Sequence, residues 1–438
     1  MDKTLHQTAL CGLIPIMPSK SASHRAVMMA ALCRGTTELA PLQLSRDIQA
    51  TLACAGALGL TAASAALPLN EELSTVTASI TGGIQPDVYP QERVLDCGES
   101  GSTLRFFIPL ALDGRGPVRF IGHGRLMERP LTVYESMFSG MRWERDGDSL
   151  IIEGQLQSGE FSLRGDVSSQ FITGLLLALP QLPGDSVIRI TTPLESRAYV
   201  ELTRRVQTAF GVTSQWQDEN TLLIPGGQTS VSPGQFTVES DWSHAAFFLT
   251  AGALSSRGPL HVLGVDATSA QGDRAIVDIL LKMGANICTS HEGLGLSVFP
   301  SRLHAVDVDV SQVPDLVPIL AVAMAAAYGE SRIRGAARLR IKESDRLSAM
   351  ANALTAAGVQ VEELPDGLVI TGGRPLRGAQ IDGCNDHRIV MAMAVAAQLL
   401  EEGDGALTIS DSEAVAKSAP RFWSEYCALC YKGKEDLL

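Results

Sequence analysis

The sequence predicts an α/β chain built from six copies of one α+β repeat. Three observations point to this. Six apolar helix patterns each open with a polar or charged cluster, and these openings recur roughly every 70 to 80 residues. A second, amphipathic helix pattern, again opened by charge, follows each of them. Most of these second helices end at a glycine and run into a strand–turn–strand pattern.

Taken in order, the first apolar helix opens at "PSKSASHR" (18–25), continues through "AVMMAALC", and stops at Gly35 after Arg34. The other five open at "GESGSTLR" (98–105), "GDVSSQ" (165–170), "SDWSH" (240–244), "QVPD" (312–315) and "CNDHR" (384–388). Their amphipathic companions open at "SRD" (45–47), "MERP" (127–130), "ESRAY" (195–199), "QGDR" (271–274), "KESDR" (342–346) and "AKSAP" (416–420). The strand–turn–strand stretches include "TAFGVTSQWQDENTLLIPGG", "KMGANICTSHEGLGLSVF" and "AAGVQVEELPDGLVITGG". Each repeat therefore holds two helices and three or four strands. Such a unit buries its apolar face only against its siblings.

At 438 residues the chain exceeds one ordinary core, so two or three domains are expected. With 45% hydrophobic and 19% charged residues it reads as a compact globular protein, and its net charge of −13 argues against nucleic acid or an anionic membrane as partner. No run of about 18 apolar residues occurs, so no membrane span is expected. The opening "MDKTLHQTALCGLIPIMPSK" lacks the basic flank and apolar core of a secretion signal. Eight cysteines without framework spacing suit a reducing, cytoplasmic location. Cys427 and Cys430 form a CxxC in an aromatic-rich stretch, and the dispersed histidines make no zinc-type group. No GxGxxG or GxxxxGKS loop occurs.

Capping explains serines such as Ser19, Ser21 and Ser23 at a helix start. It does not explain cations. Lys20, Arg25, Arg105, Arg129, Lys342, Arg346, Arg388 and Lys417 all fall at helix starts, where the helix dipole favours acidic side chains. Cations and unpaired backbone N–H groups together make an anion site. One or two small, highly anionic ligands are the expected partners.

The motifs resemble those of the 5-enolpyruvylshikimate-3-phosphate synthase family, the enolpyruvyl transferases of the shikimate pathway. "SKSASHR", "GESGSTLR", "LMERPL", "GDVSSQF", the Pro314–Asp315 pair, "KESDRL", "NDHR" and "AKSAP" carry the resemblance, in order, over essentially the whole chain. It implies a two-domain inside-out α/β prism built from six βαβαββ-like repeats. The inserted domain would span 21–240, and a discontinuous domain would join 1–20 to 241–438. Three positions depart from the usual pattern. Met17-Pro18 stands where Pro-Gly is common, Arg338 where some members have asparagine, and Phe106 where many have proline.

The implied reaction moves the enolpyruvyl group of phosphoenolpyruvate to the 5-hydroxyl of shikimate 3-phosphate and releases phosphate. It runs by addition and elimination through a tetrahedral intermediate, with no metal and no organic cofactor. By matching positions, Asp315 and Glu343 would do the acid–base work, with Lys20 as third catalytic partner. Lys20, Ser21, Arg25, Ser168, Ser169, Gln170, Ser196, Asp315 and Lys342 would hold shikimate 3-phosphate. Lys20, Gly101, Arg129, Gln170, Arg346, Arg388 and Lys417 would hold phosphoenolpyruvate. Arginine grips phosphate and carboxylate bidentately, which fits a doubly anionic substrate. Bland readings stand beside these: the serines as caps, Glu343 as a partner of Lys342 or Arg346, Asp315 as a helix-start residue, Arg129 as a surface charge. Tyr199 would pack beside the shikimate ring or in the core.

Two rivals remain at this level. The enolpyruvyl transferase acting on UDP-N-acetylglucosamine shares the architecture, but its lysine–asparagine pair is Lys20-Ser21 here and Cys97 reads as core. A catalytically silent anion-binding homologue is the other. A monomer is expected.

Overall fold

In the computed structural model, the described residues are 1–70, 75–83, 93–290, 295–401, 403 and 405–430. Two compact units emerge, Lys20–Val238 and the pair of segments Met1–Ser19 with Glu239–Leu438. Each has its own hydrophobic core. The turn at 291–294 inside "KMGANICTSHEGLGLSVF" lies outside the described residues.

Twelve α-helices occur among the described residues. In the Lys20–Val238 unit they are α1 (Lys20–Leu32), α2 (Arg46–Ala57), α3 (Gly101–Ala111), α4 (Thr132–Met137), α5 (Ser169–Ala178) and α6 (Arg197–Ala209). The other unit holds α7 (Trp242–Leu254), α8 (Ile276–Lys282), α9 (Val317–Ala326), α10 (Arg346–Ala356), α11 (His387–Ala396) and α12 (Phe422–Leu429). The odd-numbered helices α1 to α11 are the apolar ones, and all six begin at or just after the polar clusters. They are nearly wholly buried, α9 from Val317 to Ala325 without a break. A helix apolar on every side must lie inside a core, and sheets surround it here. The companion α6 buries only Val200, Leu202, Thr203, Val206 and Gln207, a single face.

Polar caps start several of these helices. Ser100 accepts from the Thr103 N–H, Ser168 from Gln170, Asp241 from His244, Asp345 from Ser348 and Asp386 from Arg388. Two companions are shorter than their sequence pattern suggests. At "MERP" a 3₁₀ turn (Leu126–Glu128) precedes α4, because Pro130 supplies no N–H to continue it. "AKSAP" straddles the end of the 3₁₀ segment Ser412–Lys417, and α12 begins only after Pro420.

Among the described residues there are five four-stranded sheets and one three-stranded sheet, built on a shared pattern. Around α3, α5, α9 and α11 the strand before the apolar helix pairs parallel with the strand after it, and around the first three of these that strand pairs antiparallel with the far arm of the hairpin. Glu160–Leu163, Ser186–Ile190, Thr221–Ile224 and Gln215–Trp216 show the plain case. Two strands are exchanged. Gly12–Pro15, just before α1, pairs with Leu260–Leu263 beyond α7, with Gly12 opposite Leu260. Gln235–Thr237, just before α7, pairs instead with the strand after α1, Gln235 opposite Glu38. Among the described residues the sixth sheet has no hairpin, and the N-terminal strand Lys3–Leu5 closes it antiparallel to Leu407–Ile409.

The chain segments at the two crossings are tied to one another. Asp241 donates its N–H to the Met17 carbonyl at 2.9 Å, and Ser19 donates to the Glu239 carbonyl at 2.7 Å. Pro18 therefore sits in a short antiparallel bridge opposite Ser240. All eight cysteines are free thiols, the Cys427–Cys430 pair included. Among the described residues no helix is long and apolar enough to cross a membrane, and no group of His, Cys, Asp and Glu is arranged to hold a metal.

Candidate active site

In the Lys20–Val238 unit, the starts of α1, α3, α5 and α6 carry the polar residues. Lys20 opens α1 and reaches Asp47, in the first turn of α2, at 3.0 Å. Arg25, one turn further along α1, is 3% exposed. Its Nε donates to Thr203 Oγ1 at 2.8 Å and its Nη1 to the Ser21 carbonyl at 2.7 Å. Its Nη2 donates to Thr173 Oγ1 at 3.3 Å and to the Tyr199 carbonyl at 3.2 Å. Every one of these acceptors is neutral. Burial lowers the Arg25 pKa to about 10, which still leaves it charged at neutral pH. His24 beside it stays neutral, pushed well below the usual histidine range by burial and by Lys20 and Arg25. Its Nδ1 is 2.8 Å from Thr51 Oγ1, whose hydroxyl lies 2.8 Å from that of Thr103.

At the start of α3 two guanidinium groups close on Gly101. A Cβ at that position would lie 2.8 Å from Arg129 Nη1 and 3.0 Å from Arg105 Nη1. Glycine is needed here for the close approach, not for an unusual backbone angle. Arg105 donates to Gln170 Oε1 at 2.7 Å, and Gln170 Nε2 donates to Ser102 Oγ at 2.9 Å. The amide at the start of α5 is thereby locked to α3. Ser168 is a true helix cap, its Oγ accepting from the Gln170 N–H at 3.3 Å. Ser196 is not: it sits in the left-handed region (φ 54°) and its side chain caps nothing. A non-glycine residue in that region is a strained choice, typical of a functional turn.

The other unit gathers Asp315, Lys342, Glu343, Arg346, Arg388 and Asp386. Arg346 is the hub, 1% exposed. Its Nε donates to Asp386 Oδ2 at 2.8 Å, its Nη1 to Asp315 Oδ1 at 3.0 Å and its Nη2 to Glu343 Oε2 at 2.9 Å. Asp386 also caps α11 and accepts from the Ser344 hydroxyl at 3.0 Å. Asp315 meets Arg388 Nη2 at 3.4 Å and Lys342 Nζ at 3.7 Å, while its carbonyl accepts from Arg388 Nη1 at 3.1 Å. Burial alone would raise the Asp315 pKa, but Arg388, Lys342 and Arg346 outweigh it and hold the carboxyl well below its ordinary value. Burial lowers the Lys342 pKa against the pull of Asp315. Lys417 donates from Nζ to the Asn385 carbonyl at 2.6 Å, within a turn where Cys384 and Asn385 have positive φ.

The two groups differ in kind. Around Arg346 the charges of both signs interlock, leaving Asp315 ionised beside Lys342. Around Arg25 the charge of one sign is left standing. A carboxylate held ionised among cations can take up a proton during a reaction, and a charged guanidinium on neutral acceptors can bind an anion.

Comparison with known proteins gives the family. The family model for EPSP synthase (3-phosphoshikimate 1-carboxyvinyltransferase) matches residues 5–426. The chain belongs to the EPSP synthase family. The 3-phosphoshikimate 1-carboxyvinyltransferase of Clostridium novyi is 42% identical over 421 residues, covering 95% of this chain and 94% of that one. That of Clostridium acetobutylicum is 41% identical, covering 96% and 95%. Among solved structures, EPSP synthase from Acinetobacter baumannii superposes with a TM-score of 0.78 at 26% identity, over 98% of both chains. The enolpyruvyl transferase NikO from Streptomyces tendae, at 17% identity and a TM-score of 0.74, shares the fold.

Within this EPSP synthase fold, sequence reasoning passed over Asp47 and Asp386, and it counted Arg105 among the cations at helix starts without giving it a role. Asp47 anchors Lys20, Asp386 anchors Arg346, and Arg105 anchors Gln170. Each lay inside a quoted motif, "SRD", "NDHR" or "STLR", so a signal existed. What the motifs did not disclose was the partner: Asp386 and Arg346 stand 40 positions apart.

Proposed function

We propose that this chain transfers the enolpyruvyl group of phosphoenolpyruvate to the 5-hydroxyl of shikimate 3-phosphate. The acceptor oxygen bonds to C2 of phosphoenolpyruvate while C3 takes a proton. The bond from C2 to the phosphate oxygen then breaks, phosphate leaves, and a methyl proton is withdrawn. Asp315 and Glu343, with Lys20, carry the protons. Asp315, ionised at neutral pH, enters as the base. Ser21, Arg25, Ser168, Ser169, Gln170, Ser196 and Lys342 hold the acceptor, together with Lys20 and Asp315. Gly101, Arg129, Arg346, Arg388 and Lys417 hold phosphoenolpyruvate, with Lys20 and Gln170. The observation that carries this reading is Arg25: buried, charged and, among the described residues, bonded only to neutral acceptors, it leaves its charge for an anionic ligand.

The test is phosphate release from phosphoenolpyruvate, with shikimate 3-phosphate or UDP-N-acetylglucosamine as acceptor. Release with shikimate 3-phosphate alone is expected. Release only with the nucleotide sugar, or with neither, would overturn the reading. The protein is read as a cytoplasmic monomer, and light scattering of the purified chain should give the mass of a single chain.

Gly101→Ala tests the donor side. Its methyl would displace Arg129 and Arg105 from the start of α3. The KM for phosphoenolpyruvate should rise about tenfold, roughly 1.4 kcal/mol of lost binding. The variant should remain folded, because the atoms displaced are the ends of side chains. An unchanged KM would remove Gly101 from the donor site.

A further inference from the structure

Phe106 is the next residue after Arg105 on α3 and is fully buried. The Arg25 guanidinium carbon lies 5.4 Å from the centroid of its ring and 5.8 Å from that of Tyr199. Arg25 has five N–H donors. Four of them are used, on Thr203, Ser21, Thr173 and Tyr199, and among the described residues the second N–H of Nη1 is not. No carboxylate pairs with Arg25 among the described residues. Something must nevertheless offset the cost of burying a cation, and aromatic faces do so in a particular way. A ring face attracts the cation through its quadrupole but carries no net charge. A carboxylate in the same place would neutralise Arg25 and compete with any anionic ligand. An aliphatic side chain would offer the cation no such attraction.

We propose that Phe106 is a positioning residue for Arg25: its ring face holds the guanidinium in place while leaving its full charge to the anionic acceptor. This rests on the reading that Arg25 binds shikimate 3-phosphate. The ring also meets His24 edge-on, at 6.3 Å and 84°. Helix α3 thus serves two substrates, the donor through Gly101 and Arg105 and the acceptor through Phe106.

The test replaces Phe106 in the full chain with phenylalanine bearing one, two or three ring fluorines. Fluorine drains the ring face with little change of shape. Affinity for shikimate 3-phosphate, by calorimetric titration, should fall stepwise, and Phe106→Leu should lose about 3- to 10-fold. The KM for phosphoenolpyruvate should stay near its starting value. A merely structural role would not grade with fluorine number. An affinity indifferent to fluorination, or equal losses for both substrates, overturns the proposal. If Phe106→Leu fails to fold, the fluorinated series decides alone. If the unaltered chain binds no shikimate 3-phosphate, the functional reading fails. Inorganic phosphate titrated into the same series then judges Phe106, and a flat response overturns its role.

Discussion

Replacing Asp315 by asparagine or Glu343 by glutamine should lower turnover by roughly 10²–10⁴-fold, the usual contribution of a general acid or base. Both substitutions keep the shape of the side chain and remove its ability to take up a proton. Shape matters here, because Asp315 receives Arg346, Arg388 and Lys342 at once, and alanine would take one carboxylate partner from each of the three cations. Single-turnover phosphate release separates the chemical step from binding. The decrease should appear there, with shikimate 3-phosphate affinity changed far less for Glu343→Gln than turnover is. Near-normal turnover in both variants would remove the two carboxylates from the mechanism.

Arg346→Met should cost about 3–5 kcal/mol of stability, the penalty for breaking a buried ion network from one side. The substitution strips Asp386, which is wholly buried, of the Arg346 guanidinium and leaves Glu343 and Asp315 each one partner short. The pH dependence gives the sign. Burial would raise the Asp386 pKa, but Arg346 brings it below the ordinary carboxylate value, and Asp315 is lowered as well. A depressed pKa stabilises the fold above the unfolded-state value of about 4, and that stabilisation is lost as pH falls through the folded-state value. The gap between the unaltered chain and Arg346→Met should therefore be full at neutral pH and narrow below about pH 4. Urea unfolding at both pH values measures it. A neutral-pH difference under about 1 kcal/mol would mean that Arg346 does not hold the network together.

Much of the site was legible in the sequence because helix starts carry their chemistry locally. Lys20, Gly101 and Ser168 announce themselves by standing at the openings of apolar helices and Arg346 at the opening of an amphipathic one, and Ser168 caps α5 as its residue type suggests. Ser196 reads in sequence like the other serines, yet its backbone is left-handed and its side chain makes no cap bond to α6. Arg25 looked like one more cation in a basic cluster. Its distinction, a guanidinium surrounded by neutral acceptors and two ring faces, comes from Thr173, Tyr199 and Thr203, far along the chain. Phe106 appeared only as a departure from a family pattern, with no hint of what its ring touches.

By itself the sequence determined the six repeats, the alternation of buried and amphipathic helices, and the clusters of charge at their openings. These follow from local rules: a 3.6-residue period marks the face to be buried, and caps and prolines mark the ends. Tertiary structure alone decided that Gly12–Pro15 and Gln235–Thr237 exchange sheets, and that Lys3–Leu5 closes the last one. It also decided which carboxylate each cation meets. A strand edge offers the same N–H and C=O groups to any neighbour, and a guanidinium accepts any carboxylate within reach. Neither choice leaves a periodic trace, so only the packing of distant segments into one core could make it.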